Sequence, residues 1–453
     1  MDAADLDRRA RTLSGCIPPP LVARLLERGH EREVELQAGR GEWFCALAWA
    51  RLLGERGRRE QADEVLAPYV ATGWWTAARA RAELLEGWGR APEAIELTRP
   101  YAEAGDRTAL DYFARLLARH GRGSEAFALL RHGIEDWFLA ECLVEVAEAA
   151  GLDEEAAALL EARIAAATPA CDDPACDRTR IEPDNAVNLL AALRERQGRV
   201  EDAIALLRTG DALCVNARDP LADLLARHGR IGELRVYAAS EPLGYAAQRL
   251  AEELEARGDV EGAVAAYRKP GGPAVGGNHA VLLAELLARH GRGGEAIEEL
   301  RTFADAPGGA EDWIVHTLCA LYADDGRAGD GLAYLDALKA RRGGREDWEF
   351  FAMRLPLLAA CGRLDEAVEL VRAHPEGSSW YAAWHLPDLL AAAGRTAEAV
   401  AVLEQHPDSH TGRLAEHLID LGRVEDAVRV LQQPRAEPVL PVPDGPYSAE
   451  PPF

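Results

Sequence analysis

The chain has 453 residues, a net charge of −25 from 51 basic and 76 acidic side chains, and 48% hydrophobic residues of which few are aromatic. That charge sets it against nucleic acid and anionic membranes, both polyanions, and no apolar stretch approaches the roughly 18 residues of a membrane span. The N-terminus, MDAADLDRRARTLSG, lacks the apolar centre of a signal peptide, so a cytoplasmic protein is expected. Lys occurs only as Lys269 and Lys339, an Arg bias that fits a GC-rich bacterial genome.

Residues 1–41 read as an N-terminal helical cap. Leu21, Leu25 and Leu26 give a short apolar face after Pro18, Pro19 and Pro20, and terminal repeats are atypical where one side meets water. Residues 42–432 are periodic. Gly57, Gly89, Gly121, Gly151, Gly198, Gly229, Gly258, Gly291, Gly326, Gly362, Gly394 and Gly422 follow one another at 28 to 36 residues, with one gap of 47. Four residues before each Gly stands a large apolar residue, broken only by Ala147 and Arg194, and seven before it a small one, most often Ala. Five residues after the Gly comes Ala, in ten of the twelve cases, and nine after it a large apolar residue. Small and large positions on one helical face let a second helix approach at the small residue and lock against the large one. Two such helices joined at a left-handed Gly make a hairpin that cannot bury its stripe alone, so the hairpins must stack.

The polar residues share this register. An acid four after the Gly lies in the first turn of the second helix, and an Arg directly after the Gly can pair with it or with the last carbonyls of the first helix. His120, His228 and His290 recur in three LLARHGR segments just before the Gly, where a helix C-terminus favours a cation. Trp43, Trp75, Trp137, Trp348 and Trp380 stand fourteen before the Gly, with Trp313 one residue later; Glu42, Asp136, Asp312 and Asp347 precede four of them as helix starts. Cys45, Cys142, Cys319 and Cys361 sit within apolar helix patterns, as small hydrophobes do.

Three segments interrupt the array. The insert 165–185 carries Cys171, Cys176, Asp177 and Asp184 and no His. Its donors fall short of a structural zinc site, so a loop is expected, with a metal site or a regulatory disulfide as alternatives. The loop KPGGPAVGGN at 269–278 lacks the Lys-Ser/Thr of a phosphate loop. Residues 433–453 form a Pro-rich tail expected to be disordered. No catalytic, cofactor or metal motif is present, so neither an enzyme nor a cofactor is expected.

The order Ala114, Leu117, Gly121, Ala126, Leu130, repeated along residues 43 to 432, resembles the tetratricopeptide repeat. It departs from that family in having Ala46, Ala78, Ala140, Ala247, Ala280 and Ala383 where a bulky early residue is usual, and in mostly lacking the late Ala and closing Pro. The resemblance implies an all-α fold, an α-solenoid of about twelve antiparallel helix pairs wound as a right-handed superhelix. It also implies that the first helices line a concave groove, into which the position six before each Gly points. Glu83, Glu145, Asp223, Glu252, Glu285, Asp388 and Glu416 occupy that position, with Arg51 and Arg115 among the exceptions. These seven acids are the candidate partner-binding residues. The expected function is a non-catalytic scaffold that binds a protein or basic peptide, with no nucleic acid and no membrane as partner. A regulatory or sensor subunit controlling a transcription factor or signalling enzyme is the alternative, and a helical-repeat enzyme using groove carboxylates a second one.

Overall fold

The computed structural model describes residues 2–166, 183–209, 219–241, 244–268, 276–344, 346–377, 379, 382–406 and 410–433. Most of the 165–185 insert with Cys171 and Cys176, most of the glycine-rich loop, Trp380 and the tail beyond residue 433 lie outside them. Apart from one 3-10 turn at Arg131–Gly133, every regular element among the described residues is an α-helix. None is long and apolar enough to cross a membrane. The fold is therefore all-α, a succession of stacked helix pairs. The chain divides into two compact bodies, Met1–Leu84 together with Val371–Phe453, and Leu85–Leu370.

All twelve recurring glycines adopt the left-handed conformation, with φ between +66° and +80°. At every one the N–H of the following residue donates to the carbonyl four before the Gly, as Arg122 to Leu117 and Arg230 to Leu225. This six-to-one bond closes the last turn of the first helix and releases the chain into the second. The Arg after the Gly pairs with the acid three residues on, from Arg90–Glu93 to Arg423–Asp426, in nine turns at 2.7–2.9 Å. Each such Arg is thus engaged within its own turn.

The apolar columns are buried throughout. The residue four before each Gly is at most 6% exposed, Ala147 and Arg194 included, and the residues seven before it are all buried. In the body Leu85–Leu370 one cluster runs unbroken from Ala191 through Leu225, Leu254, Leu287 and Tyr322 to Leu357. Stacked hairpins thus share one continuous core.

In the other body, the Pro19–Glu27 and Glu31–Gly39 helices repeat the same hairpin in the same register. Gly29 is left-handed at φ +80°, His30 N–H donates to Leu25 O, and Val22, Leu25 and Val34 fill the column positions in the core. The Pro19–Glu27 helix packs on Trp43–Glu55 and also on Thr411–Asp420. Its outer side therefore meets protein where the sequence predicts water.

Helix starts and cysteines follow the sequence with exceptions. Asp136 and Asp347 accept from the first-turn amides as expected, and Glu42, itself buried, accepts from Cys45 N–H at 2.6 Å and Ile17 N–H at 3.3 Å. Asp312 instead lies inside its helix and pairs with Arg342 at 3.1 Å. Trp43 and Trp348 are core residues, whereas Trp137 and Trp313 are exposed. Cys45, Cys142 and Cys319 are buried, and Cys361 is exposed at a helix end.

Candidate functional site

The position six before the Gly falls on the side of the first helix opposite its buried stripe, so its residues reach solvent. Six of the seven candidate acids lie beside arginines, many from the neighbouring repeat. In the body Leu85–Leu370, Arg115, itself six before a Gly, is paired with Glu145 of the next repeat and with Asp111 one turn back. Arg249 spans three acids, with Nε 3.0 Å from Asp223 of the preceding repeat, Nη1 3.6 Å from Glu252 and Nη2 3.5 Å from Glu253. Gln248 Nε2 donates to Glu252 at 3.0 Å. Glu285 is exposed on the same face. In the other body, Glu83 takes Arg79 of its own helix at 3.0 Å and Arg51 of the preceding repeat at 3.6 Å. Asp388 is paired with Arg413, and Glu416 with Arg24 at 3.0 Å.

The candidate residues thus form two sets, Glu145, Asp223, Glu252 and Glu285 in one body and Glu83, Asp388 and Glu416 in the other. Within each, the acids alternate with arginines instead of forming a bare acidic stripe. Arg79, Arg249 and Arg413 stand nine or ten before their Gly, one helical turn from the acids, and sequence reading passed over them. Helical spacing of three to four was the signal that could have found them. Exposure separates the acids: the Glu145 side chain is 60% exposed and Asp223 26%.

A second charged system lies at the turns. Arg119 forks onto Glu86 with Nε and Nη2 each at 2.9 Å, and His120 Nε2 reaches the same carboxylate at 2.9 Å. Arg227 and His228 hold Glu195 in the same way, at 3.0, 2.7 and 2.8 Å. Arg289 and His290 hold Glu255 at 3.3, 2.9 and 2.9 Å. Each Glu stands three before the Gly of the preceding repeat, so LLARHGR is a clamp between consecutive hairpins. The helix C-terminus alone does not account for these histidines. The Arg hydrogen bond, with the smaller help of His against some burial, holds Glu86, Glu195 and Glu255 below the ordinary carboxylate range. A cleft of about 250 Å³ opens beside the second clamp, lined among others by Asn188, Ala192, Glu195, Asp223 and Arg227, so the clamp and the candidate face meet there.

Burial pushes the Cys45, Cys142 and Cys319 thiols up, the last to about 12, so at neutral pH they stay protonated and unreactive. No cluster of three or more His, Cys, Asp or Glu suited to a metal occurs among the described residues.

Fold and face together define a helical-repeat protein whose first helices carry registered, alternating charge. No protein-family model matches the chain, and no curated protein matches it. Solved structures do. Naa15/Naa10 bound to HypK-THB is 13% identical over 91% of this chain and 74% of that one, with a TM-score of 0.40. The pentatricopeptide repeat protein PPR10 in complex with an 18-nt psaJ RNA element is 15% identical over 94% and 75%, with a TM-score of 0.35. PPR10 from maize is 17% identical over 91% and 72%, with a TM-score of 0.32. What is shared is the fold, stacked helix pairs. The RNA belongs to the PPR10 structure. The expectation from the sequence that nucleic acid is excluded as a partner does not stand. Net charge sums the whole chain, whereas a nucleic acid meets only the side chains of one face, so a net charge of −25 does not decide the matter.

Proposed function

We propose that the chain is a non-catalytic binding scaffold that takes a protein or basic peptide on the charged face of its first helices. One observation carries the reading: Glu145, Asp223, Glu252 and Glu285 share one face of one body, and the arginines beside three of them are partly open to solvent. Exposed ion pairs contribute little to stability, each about 0 to 1 kcal/mol, so a basic side chain of a partner exchanges for the resident Arg at small cost. The test is an array of basic, neutral and acidic peptides probed with the intact protein and with E145Q/D223N/E252Q/E285Q at low and moderate salt. Basic peptides should be retained by the intact protein, less so as salt rises, and lost by the variant. Equal retention by both proteins would sink the proposal. Retention of an RNA oligonucleotide added as a competitor, at the expense of the peptides, would give the face to another class of partner.

A further inference from the structure

In the body Met1–Leu84 with Val371–Phe453, the two terminal repeats pack on one another. Their contact follows the pattern of an interior junction, first helix on first helix, as Arg107–Arg119 packs on Trp137–Ala150. Here Pro19–Glu27 packs on Thr411–Asp420. The guanidinium of Arg24 forks onto Asp420, Nε to Oδ1 at 3.0 Å and Nη2 to Oδ2 at 2.5 Å, and its Nη1 lies 3.0 Å from Glu416. Arg28 adds a second cation 2.8 Å from Asp420, and Gln432 Nε2 donates to Gln37 Oε1 at 2.8 Å. The N-terminal repeat thus stands where a next repeat would follow the C-terminal one. Its side of the seam carries arginines and the other side carries acids.

Two things set this seam apart from an interior junction. Most consecutive repeats are joined by a short linker that keeps them together, whereas Arg24 and Asp420 are 396 residues apart in sequence. Interior junctions also add a second helix packed on the next first helix, as Gly293–Asp305 on Asp312–Asp324, while the seam rests chiefly on the two first helices. Its polar bonds are partly open to solvent, with Arg24 29%, Asp420 21% and Glu416 42% exposed, so salt reaches them.

We propose that this seam is a latch, at which the N-terminal and C-terminal repeats part and rejoin while each stays folded on its own neighbour. Parting breaks no covalent bond and unwinds no helix. It requires only that the Arg24, Arg28 and Gln37 contacts be exchanged for water and that the apolar faces between them be wetted. The charges set how readily it opens: screening them favours the parted state, and removing the acids makes that state insensitive to salt.

Hydrogen exchange resolved by segment tests this on the full chain. Raising salt from about 0.05 M to about 1 M shortens the screening length from roughly 14 to 3 Å. It should quicken exchange in Pro19–Glu27 and Thr411–Asp420 by about tenfold and leave Gly276–Arg289 unchanged. The isosteric pair E416Q/D420N, which adds no repulsion, should exchange fast at those two helices already at low salt and respond little to more salt. R24E should go further at the same two helices. The latch is overturned if exchange there is independent of salt in the unaltered protein, if E416Q/D420N keeps the full salt response, or if the quickening spreads to Gly276–Arg289, which would mean general loosening.

Discussion

A methyl group added at Gly121 meets nothing within 4 Å, so Gly121→Ala isolates the cost of backbone conformation. At φ +76° that cost is about 1 to 2 kcal/mol, to be read as a lowered urea midpoint at unchanged slope. Gly331 is different in kind. It stands five after Gly326, where the repeat asks for Ala, and a Cβ there would lie 2.9 Å from Leu357 Cδ2 and 3.0 Å from Tyr322 Cβ. Tyr322 is the one aromatic of the large column, so the larger residue is answered by the smaller one within the same hairpin. Arg194 is the other departure. Its guanidinium sits in the column, held by Glu154 at 3.2 Å, by Glu161 and by Gln197 at 2.8 Å. Because Leu fills this place in other repeats, Arg194→Leu should change stability by less than about 1 kcal/mol, while Arg194→Ala, which opens a cavity, should cost about 2 to 4 kcal/mol. Thermal unfolding of the two variants side by side checks this. The columns were legible in the sequence because burial repeats a residue type at a fixed offset from the Gly. The partners of Arg194 were not, since Glu154 and Glu161 lie in the preceding hairpin, across the insert, and no periodic offset links them.

Between elements, the clamps decide what the charged turns do. Each joins a Glu three before one Gly to an Arg and His just before the next, and the Arg fork is the main cause of its low carboxyl pKa. A carboxylate whose pKa falls on folding stabilises the native state fully above its unfolded value near 4.5, and that contribution is lost as pH drops through the folded value. Glu255→Gln should therefore lower stability by roughly 0.5 to 1 kcal/mol at neutral pH and flatten the acid limb of the stability profile below about pH 5. Urea titrations at several pH values would show it; a variant profile parallel to that of the unaltered protein down to pH 3 would remove the clamp from the account. Glu398, held down to about 2 chiefly by the Arg395 hydrogen bond, is titrated later still on the same limb. The turn pairs were legible from one hairpin because both partners lie within four residues. The clamps were not, because their partners are 32 to 35 residues apart, and LLARHGR alone reads as a helix end. The candidate acids show the same limit: their shared position was legible, but the arginines that neutralise them come largely from the neighbouring repeat.

At the scale of the whole chain, a one-dimensional array predicts that deleting one end disturbs only the repeats next to it. The packing of Pro19–Glu27 on Thr411–Asp420 predicts otherwise. Removing residues 2–41 takes away the Trp43–Glu55 helix's neighbour, as any end deletion would, but it also uncovers a helix nearly 400 residues away in sequence. Leu414, Ala415 and Leu418, all buried in the folded chain, lie on that helix, and Glu416 and Asp420 lose Arg24 and Arg28. Amides of Thr411–Asp420 should then exchange at least tenfold faster, equivalent to about 1.4 kcal/mol of lost local stability. Those of Gly276–Arg289, set in the separate core that runs from Ala191 to Leu357, should keep their rates. Sequence periodicity could not foresee this, because it reports the offsets within and between consecutive hairpins and holds nothing about which hairpins meet when the chain's ends are brought together. If the truncated chain instead loses protection only around Trp43–Glu55, the terminal repeats contribute to one another no more than two unrelated surfaces would, and the array is linear in its energetics as well as in its sequence.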